Sequence, residues 1–169
     1  MPESVGSRPR ASIITVCATA ADGFPIACGP VKLSVKSDYA ARAVLGLARS
    51  FAMGSARKVE DLAAEQAIPA NYLVQILIEL KAKHLVRSVR GKDGGYHLAR
   101  LPGEITLGDV LRAMHGEVLD PPALGDAHCA QELREAWGRF KLAVEKAADG
   151  LDFQTILDQG GDRDRMYYI

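Results

Sequence analysis

Two side-chain amides, those of Asn71 and Gln75, are the groups in this chain best suited to specific chemistry. Each amide carries donors and an acceptor, so each can form two hydrogen bonds with the edge of one adenine base in duplex DNA. Residues four positions apart lie on the same face of a helix. A helix over this stretch would therefore present both amides together, and Tyr72 beside them could bond a phosphate through its hydroxyl.

The elements around this amide pair follow the order helix, turn, helix, hairpin. The pattern predicts a short helix over residues 58–66, a turn at 68–69 and a second helix over 69–83. Strands are predicted over 85–90 and 96–99, and the glycines between them permit the positive φ angles of a tight tip. This order predicts a winged helix-turn-helix, mainly α with a small β wing. The N-terminal half of the second helix would face the base edges.

Further helices flank this unit. The first predicted helix begins at Ser37, a favourable N-cap residue that is followed by Asp38 in the first turn. Another helix runs from Thr106, as its N-cap, to about His115. A short last helix spans about residues 152–159.

A long helix is predicted over about residues 128–148, after a proline-containing linker at 117–127. Along it, large apolar residues recur at alternating spacings of four and three, which is typical of a coiled-coil seam. A seam this bulky needs a partner, and a second copy of the same helix is the simplest one for a small chain. We therefore expect a homodimer joined through Leu133, Trp137, Phe140 and Val144.

Charge is distributed unevenly, although the whole chain carries a formal net charge of zero. Residues 31–100 hold 12 Lys and Arg against 6 Asp and Glu, a balance of +6. Residues 101–169 hold 7 against 13, a balance of −6. The segment with the predicted helix-turn-helix therefore suits a polyanion such as double-stranded DNA, and the C-terminal segment would repel one.

Composition and pattern divide the chain by role. We predict a disordered extension over residues 1–30, the DNA-binding domain over 31–102, a dimerisation and sensor region over 103–158, and a frayed tail over 159–169. No apolar run approaches the ~18 residues of a membrane span, and three scattered cysteines do not form a disulfide framework. We therefore expect a cytoplasmic protein without membrane contact. No common catalytic or nucleotide-binding motif is present, so we expect no enzyme activity.

Four ordered blocks of the sequence resemble the Rrf2 family of bacterial transcription regulators. The resemblance covers about residues 31–158 and implies a homodimer with winged helix-turn-helix domains and a long dimerisation helix. Many members of that family repress genes, and several sense redox state, nitric oxide or iron through an iron–sulfur cluster. The blocks are residues 32–43, 68–73, 85–96 and 105–110.

The resemblance also implies which residues contact a near-palindromic DNA operator. Arg90, at the wing, corresponds to an arginine that enters the minor groove in related regulators. Val74 stands where some relatives carry a glutamate that influences base choice. Basic side chains nearby would contact phosphates, which fixes the position of the protein on the DNA but does not distinguish base sequences. Each is equally well explained as an ordinary surface charge. The predicted base-reading set is Asn71, Tyr72, Val74, Gln75 and Arg90, and the predicted phosphate contacts are Lys36, Lys58, Lys92 and Arg100.

The sensor region departs from the family pattern. Cluster-binding relatives place three cysteines in the linker before the long helix, whereas this chain retains one there, Cys129. Since iron–sulfur clusters are held by thiolates, we expect no cofactor of that kind. Asp38 matches an aspartate that resembles a fourth ligand in nitric-oxide-sensing members, but capping of the first helix explains it equally well.

Several roles stay open for this region. Cys129 is either a thiol switch, since a helix N-terminus favours the thiolate form, or an inert remnant. An unusual cluster on Cys129, His128 and Asp38 is a third alternative, and a small ligand or partner protein near the dimer interface is a fourth. A protein-interaction module with a degraded DNA surface belongs to another class of function, which the positive balance and the intact wing disfavour.

Family members usually begin with methionine at the position of Val31. Valine is the residue that a GTG start codon would encode internally, so we expect translation to start there and residues 1–30 to be absent from the native protein. The alternative is a genuine disordered extension.

Overall fold

The computed structural model describes residues 33–91 and 94–165. The predictions for residues 1–30, including the start near Val31, lie outside the described residues. The same is true of the predicted phosphate contact Lys92 and of Cys17 and Cys28.

The described part of the chain is mainly helical, with one two-stranded antiparallel sheet. Two short 3-10 turns, Pro102–Glu104 and Pro122–Leu124, interrupt the longer connections. This arrangement is the predicted winged helix-turn-helix followed by a long helix. The elements are α1 (Val35–Phe51), α2 (Val59–Gln66), α3 (Ala70–Ala82), β1 (Val86–Val89), β2 (Gly95–Leu98), α4 (Leu107–His115), α5 (Gln131–Asp149) and α6 (Phe153–Arg165).

The first helix begins three residues earlier than its predicted N-cap at Ser37. Ser34 is the N-cap, and its hydroxyl accepts the backbone N–H of Ser37 at 3.1 Å. Ser37 is instead buried, and its Oγ lies 2.6 Å from Nε2 of His115 at the end of α4. The prediction was wrong because both serines can cap a helix. Both also lie within hydrogen-bond distance of His115, so what distinguishes them is that Ser37 is buried in the fold and Ser34 is exposed.

The turn between α2 and α3 depends on a left-handed residue. Ala67 follows the last residue of α2 with φ 53° and ψ 45°, and its N–H bonds back to carbonyls of the helix. The next residue, Ile68, donates its N–H to the Ala63 carbonyl at 3.0 Å and buries its side chain. This geometry ends α2 sharply and directs the chain into α3, but a left-handed conformation is strained for any residue with a Cβ.

Ala67→Gly is therefore expected to raise the free energy of unfolding by about 1 kcal/mol, because glycine removes the strain of the left-handed turn. Urea denaturation followed by circular dichroism measures this change. The matched control is Ala64→Gly, since Ala64 is exposed inside the right-handed part of α2. There the same substitution should lower stability by about 1 kcal/mol. Equal effects at the two positions would contradict the role assigned to the turn.

One hydrophobic core joins the helix-turn-helix to the later helices. α1 packs against α3, α4 and α6, and Phe153 of α6 is 1% exposed within the same core as Leu47 and Leu73. The boundary predicted between residues 102 and 103 therefore does not divide this core. α6 also continues to Arg165, so most of the segment predicted to fray from residue 159 is helical.

The start of α6 is tied to the start of α4 by backbone hydrogen bonds. Leu107 donates to the Leu151 carbonyl at 2.8 Å, and Phe153 donates to the Ile105 carbonyl at 3.1 Å. Thr106 caps α4 as predicted, through a reciprocal pair of bonds with Asp109. In the described part of the chain, no helix is both long and apolar enough to cross a membrane.

Candidate functional site

The outward face of α3 presents most of the predicted base-reading residues to solvent. Asn71, Val74 and Gln75 are exposed, because the opposite face of the helix is anchored in the core. The anchoring residues are Leu73, Ile76, Leu77 and Leu80, each 0% exposed. The two amides therefore lie on one accessible surface, as their spacing predicts.

Tyr72 lies on the flank of α3 and not on this exposed face. Its half-buried ring packs edge-on against Tyr39 of α1, with the ring centroids 5.8 Å apart at 75°. The guanidinium of Arg42 lies over the Tyr39 ring at 5.8 Å and pairs with Asp38 at 2.7 Å. Tyr72 thus braces the start of α3 against α1, and a contact to phosphate would have to come from its hydroxyl edge.

The wing is attached to the helix-turn-helix by a single-residue bridge. β1 and β2 pair from Val86 with Leu98 to Val89 with Gly95. Arg57, just before α2, then pairs with Tyr96 through two backbone hydrogen bonds of 2.8 Å. A Cβ at Gly95 would collide with the Arg57 carbonyl, so a glycine is needed for this close approach. The bridge holds the wing beside the start of α2.

Arg90 follows the last residue of β1 and is exposed. It takes part in none of the ion pairs formed among the described residues. Neighbouring Arg87 differs, because its Nε donates to Nδ1 of His97 at 3.3 Å. Burial and the Arg87 charge both lower the pKa of His97, so the imidazole stays neutral at neutral pH. Among the described residues, the charge of Arg90 is therefore exposed and has no ion-pair partner.

The predicted phosphate contacts are placed differently from one another. Lys58 is exposed at the N-cap of α2, makes no ion pair among the described residues, and lines a cleft of about 520 Å³ beside the wing. Lys36 instead pairs with Glu79 of α3 at 2.7 Å, and Arg100 pairs with Asp109 of α4 at 3.5 Å. Of these three, Lys58 is the one whose charge is available to DNA without breaking an ion pair.

The predicted seam of α5 forms an exposed apolar strip. Leu133 and Phe140 are each 52% exposed and Trp137 is 37% exposed, while Val144 is half-buried. The Trp137 and Phe140 rings meet edge-to-face with centroids 5.8 Å apart. α5 packs on α4 and on the Pro122–Leu124 turn, while Leu133, Trp137 and Phe140 of the strip stay exposed within the described chain.

Two features of the site were not predicted from the sequence. The first is the Arg57 bridge. A strand is predicted from alternating apolar and polar residues, and a single paired residue has no such pattern. Ile78, one turn after Val74, is 55% exposed on the outward side of α3. Its distance from the apolar stripe of the helix was a usable signal, but its aliphatic side chain did not suggest a contact with DNA.

An exposed helix that carries two amides, follows a tight turn and precedes a two-stranded wing with an exposed arginine is typical of winged helix-turn-helix DNA-binding proteins. The sequence profile described as "Rrf2: Iron-dependent Transcriptional regulator" matches residues 33–159. The chain belongs to the Rrf2 family of transcription regulators. DNA is therefore its partner, and its function is to regulate transcription.

Individual relatives agree with this assignment. A Mycobacterium tuberculosis protein assigned to the HTH-type transcriptional regulators is 45% identical over 136 residues, covering 78% of this chain and 82% of that protein. The HTH-type transcriptional regulator CymR of Bacillus subtilis is 30% identical over 141 residues, covering 82% of this chain and all of that protein. Among solved structures, T. potens IscR superposes with a TM-score of 0.69 at 30% identity, covering 82% of this chain and 97% of that one.

The description of the family names iron. The side chains that could bind a metal ion in this chain therefore have to be compared with what an iron site requires. Among the described residues, no three His, Cys, Asp or Glu side chains lie close enough together to hold a metal ion. Cys129 makes a 3.6 Å contact from Sγ to the Ala130 carbonyl, and Asp38 is committed to Arg42. The alternative cluster on Cys129, His128 and Asp38 is therefore not assembled within one chain. The residues described do not fit an iron site.

Proposed function

We propose that the protein is a homodimeric repressor that binds a near-palindromic operator. α3 would enter the major groove and the wing would place Arg90 in the adjacent minor groove. The observation that carries the proposal is the exposed surface formed by the Asn71 and Gln75 amides on α3. Arg90 on the neighbouring wing, without an ion-pair partner among the described residues, supports it. The protein would act in the cytoplasm, without enzyme activity.

The proposed operator follows from the two-fold symmetry of a dimer. Two copies of α3 in successive major grooves lie about one helical turn, roughly 34 Å, apart. The half-sites should therefore be centred about 10 base pairs apart and be inverted relative to each other. Repression follows if the operator overlaps the promoter and bound protein blocks RNA polymerase.

Operator binding is tested by selecting sequences from a random duplex library with the anaerobically purified full chain. We expect an enriched inverted repeat, an affinity that falls steeply with salt because phosphate contacts release counterions, and lower transcription from a reporter that carries the repeat. The visible absorption spectrum of the same preparation should show no iron–sulfur band. Enrichment without symmetry would contradict the dimeric operator. Increased transcription would contradict repression. A coloured protein would contradict the expectation that the chain binds no iron–sulfur cluster.

The dimer itself is tested at Phe140. Phe140→Asp should convert the protein to a monomer, because it would bury a carboxylate in the proposed seam, while the exposed position leaves the fold of each chain intact. Leu142→Asp is the matched control, since Leu142 is 66% exposed and lies about 200° around the helix from Phe140. Sedimentation velocity measures the mass of both variants. A dimeric Phe140→Asp variant would reject the seam as the interface.

A further inference from the structure

The outward face of α3 carries two aliphatic side chains that the described chain covers only in part. Val74 is 38% exposed and Ile78 is 55% exposed. The two positions are four residues apart, so both side chains lie on one side of the helix. Exposure of two branched aliphatic residues in adjacent turns is a loss of apolar burial that a bound partner would recover.

These aliphatic residues share their surface with the two amides. Asn71 precedes Val74 by three residues, and Gln75 precedes Ile78 by three, so each amide neighbours one aliphatic side chain. Hydrogen-bonding amides and apolar side chains therefore alternate along this surface. A partner that fits it must offer both hydrogen-bonding edges and apolar groups at a spacing of about one helical turn.

The electrostatics of α3 favour DNA as that partner. Glu79 is the acidic residue of this helix, and its carboxylate is paired with Lys36 at 2.7 Å on the flank. Lys81, near the end of the helix, donates to Ser88 of β1 and places a positive charge beside the surface. A duplex approaching the outward face would therefore not meet an unpaired carboxylate from α3.

We propose that Val74 and Ile78 recognise the C5-methyl groups of two thymines in each half-site. The thymine methyl is the apolar group that base pairs present in the major groove, and aliphatic side chains contact it directly. This inference rests on the proposed placement of α3 in the major groove, and it extends base contact to Ile78, one turn beyond the N-terminal half that the sequence predicts to face the base edges. It adds a specificity-determining residue, Ile78, and a kind of recognition that the amides cannot provide.

The test replaces single thymines of the selected operator by deoxyuridine, which pairs identically but lacks the methyl group. For the unmodified protein we expect two positions per half-site where affinity falls about three- to fivefold. This is the affinity that burying one methyl group contributes. Val74→Ala should remove the effect at one position, and Ile78→Ala should remove it at the other. Leu142→Ala, which alters a more exposed aliphatic residue on α5, should leave both effects intact.

The outcomes separate this inference from the proposed function. If an operator is selected but no deoxyuridine position lowers affinity, the methyl contacts are overturned and operator binding stands. The same holds if the effects persist unchanged in both alanine variants. If no sequence is enriched at all, the proposed operator binding and the methyl contacts both fail.

Discussion

Arg90→Ala is expected to lower the affinity for the selected operator by about 1–3 kcal/mol, which is roughly 5- to 150-fold. Arg90 is exposed immediately after β1, and no ion pair among the described residues would compensate for its loss or hold it away from DNA. A narrow minor groove concentrates negative potential and so favours an inserted guanidinium. Fluorescence anisotropy with a labelled operator measures the change.

Comparison with Lys58→Ala shows whether Arg90 reads sequence or only contacts the backbone. Lys58 should act through a phosphate, so its removal should weaken selected and random DNA alike and reduce the salt slope by about one. Arg90→Ala should instead reduce the difference between the two DNAs. Arg139→Ala, a change to an exposed arginine on α5, should leave binding unaltered. Unchanged operator affinity for Arg90→Ala would reject the wing as a recognition element.

Phe153→Ala is expected to lower the free energy of unfolding by about 3–5 kcal/mol, the usual cost of truncating a fully buried phenylalanine. Phe153 is 1% exposed and lies in the core that α1, α3 and α4 share. Its backbone N–H is also bonded to Ile105, so the surrounding structure has little freedom to collapse into the cavity. Urea denaturation at fixed protein concentration measures the loss.

A milder variant protects this experiment against complete unfolding. Phe153→Leu keeps most of the apolar volume and should cost about 1–2 kcal/mol. Leu142→Ala removes an aliphatic side chain that is 66% exposed and should change stability by less than about 0.5 kcal/mol. If Phe153→Ala matched Leu142→Ala, α6 would not belong to the core.

Most of the helices and strands could be predicted because their signals are local. The apolar spacing of α3, the Thr106 cap of α4 and the glycines around the wing each depend on residues within about two turns of one another. The exposed face of α3 follows from the same periodicity, because a stripe anchored in a core leaves the opposite side to solvent. The exposure of Asn71 and Gln75 therefore follows from the sequence.

The ion pairs of the fold could not be predicted from the sequence. Lys36, predicted to contact phosphate, also pairs with Glu79 on another helix. Asp38 pairs with Arg42 one turn further along α1. Composition reports that such groups exist, whereas an ion pair also needs two particular side chains within about 4 Å in the folded chain.

Four properties follow from the sequence alone. They are the order of the elements, the amide pair on α3, the excess of positive charge in residues 31–100 and the apolar seam of α5. These properties depend on periodicity and residue type, which a linear chain already contains. Three features depend on the folded chain. Ser34 and not Ser37 is the N-cap of α1, Phe153 of α6 lies in the core of the helix-turn-helix, and Arg57 forms a backbone bridge to Tyr96 of the wing. Burial, backbone bridging and ion pairing depend on residues that are distant in the sequence and become neighbours only on folding. Local sequence patterns, such as two serines that can both cap a helix, therefore cannot predict them.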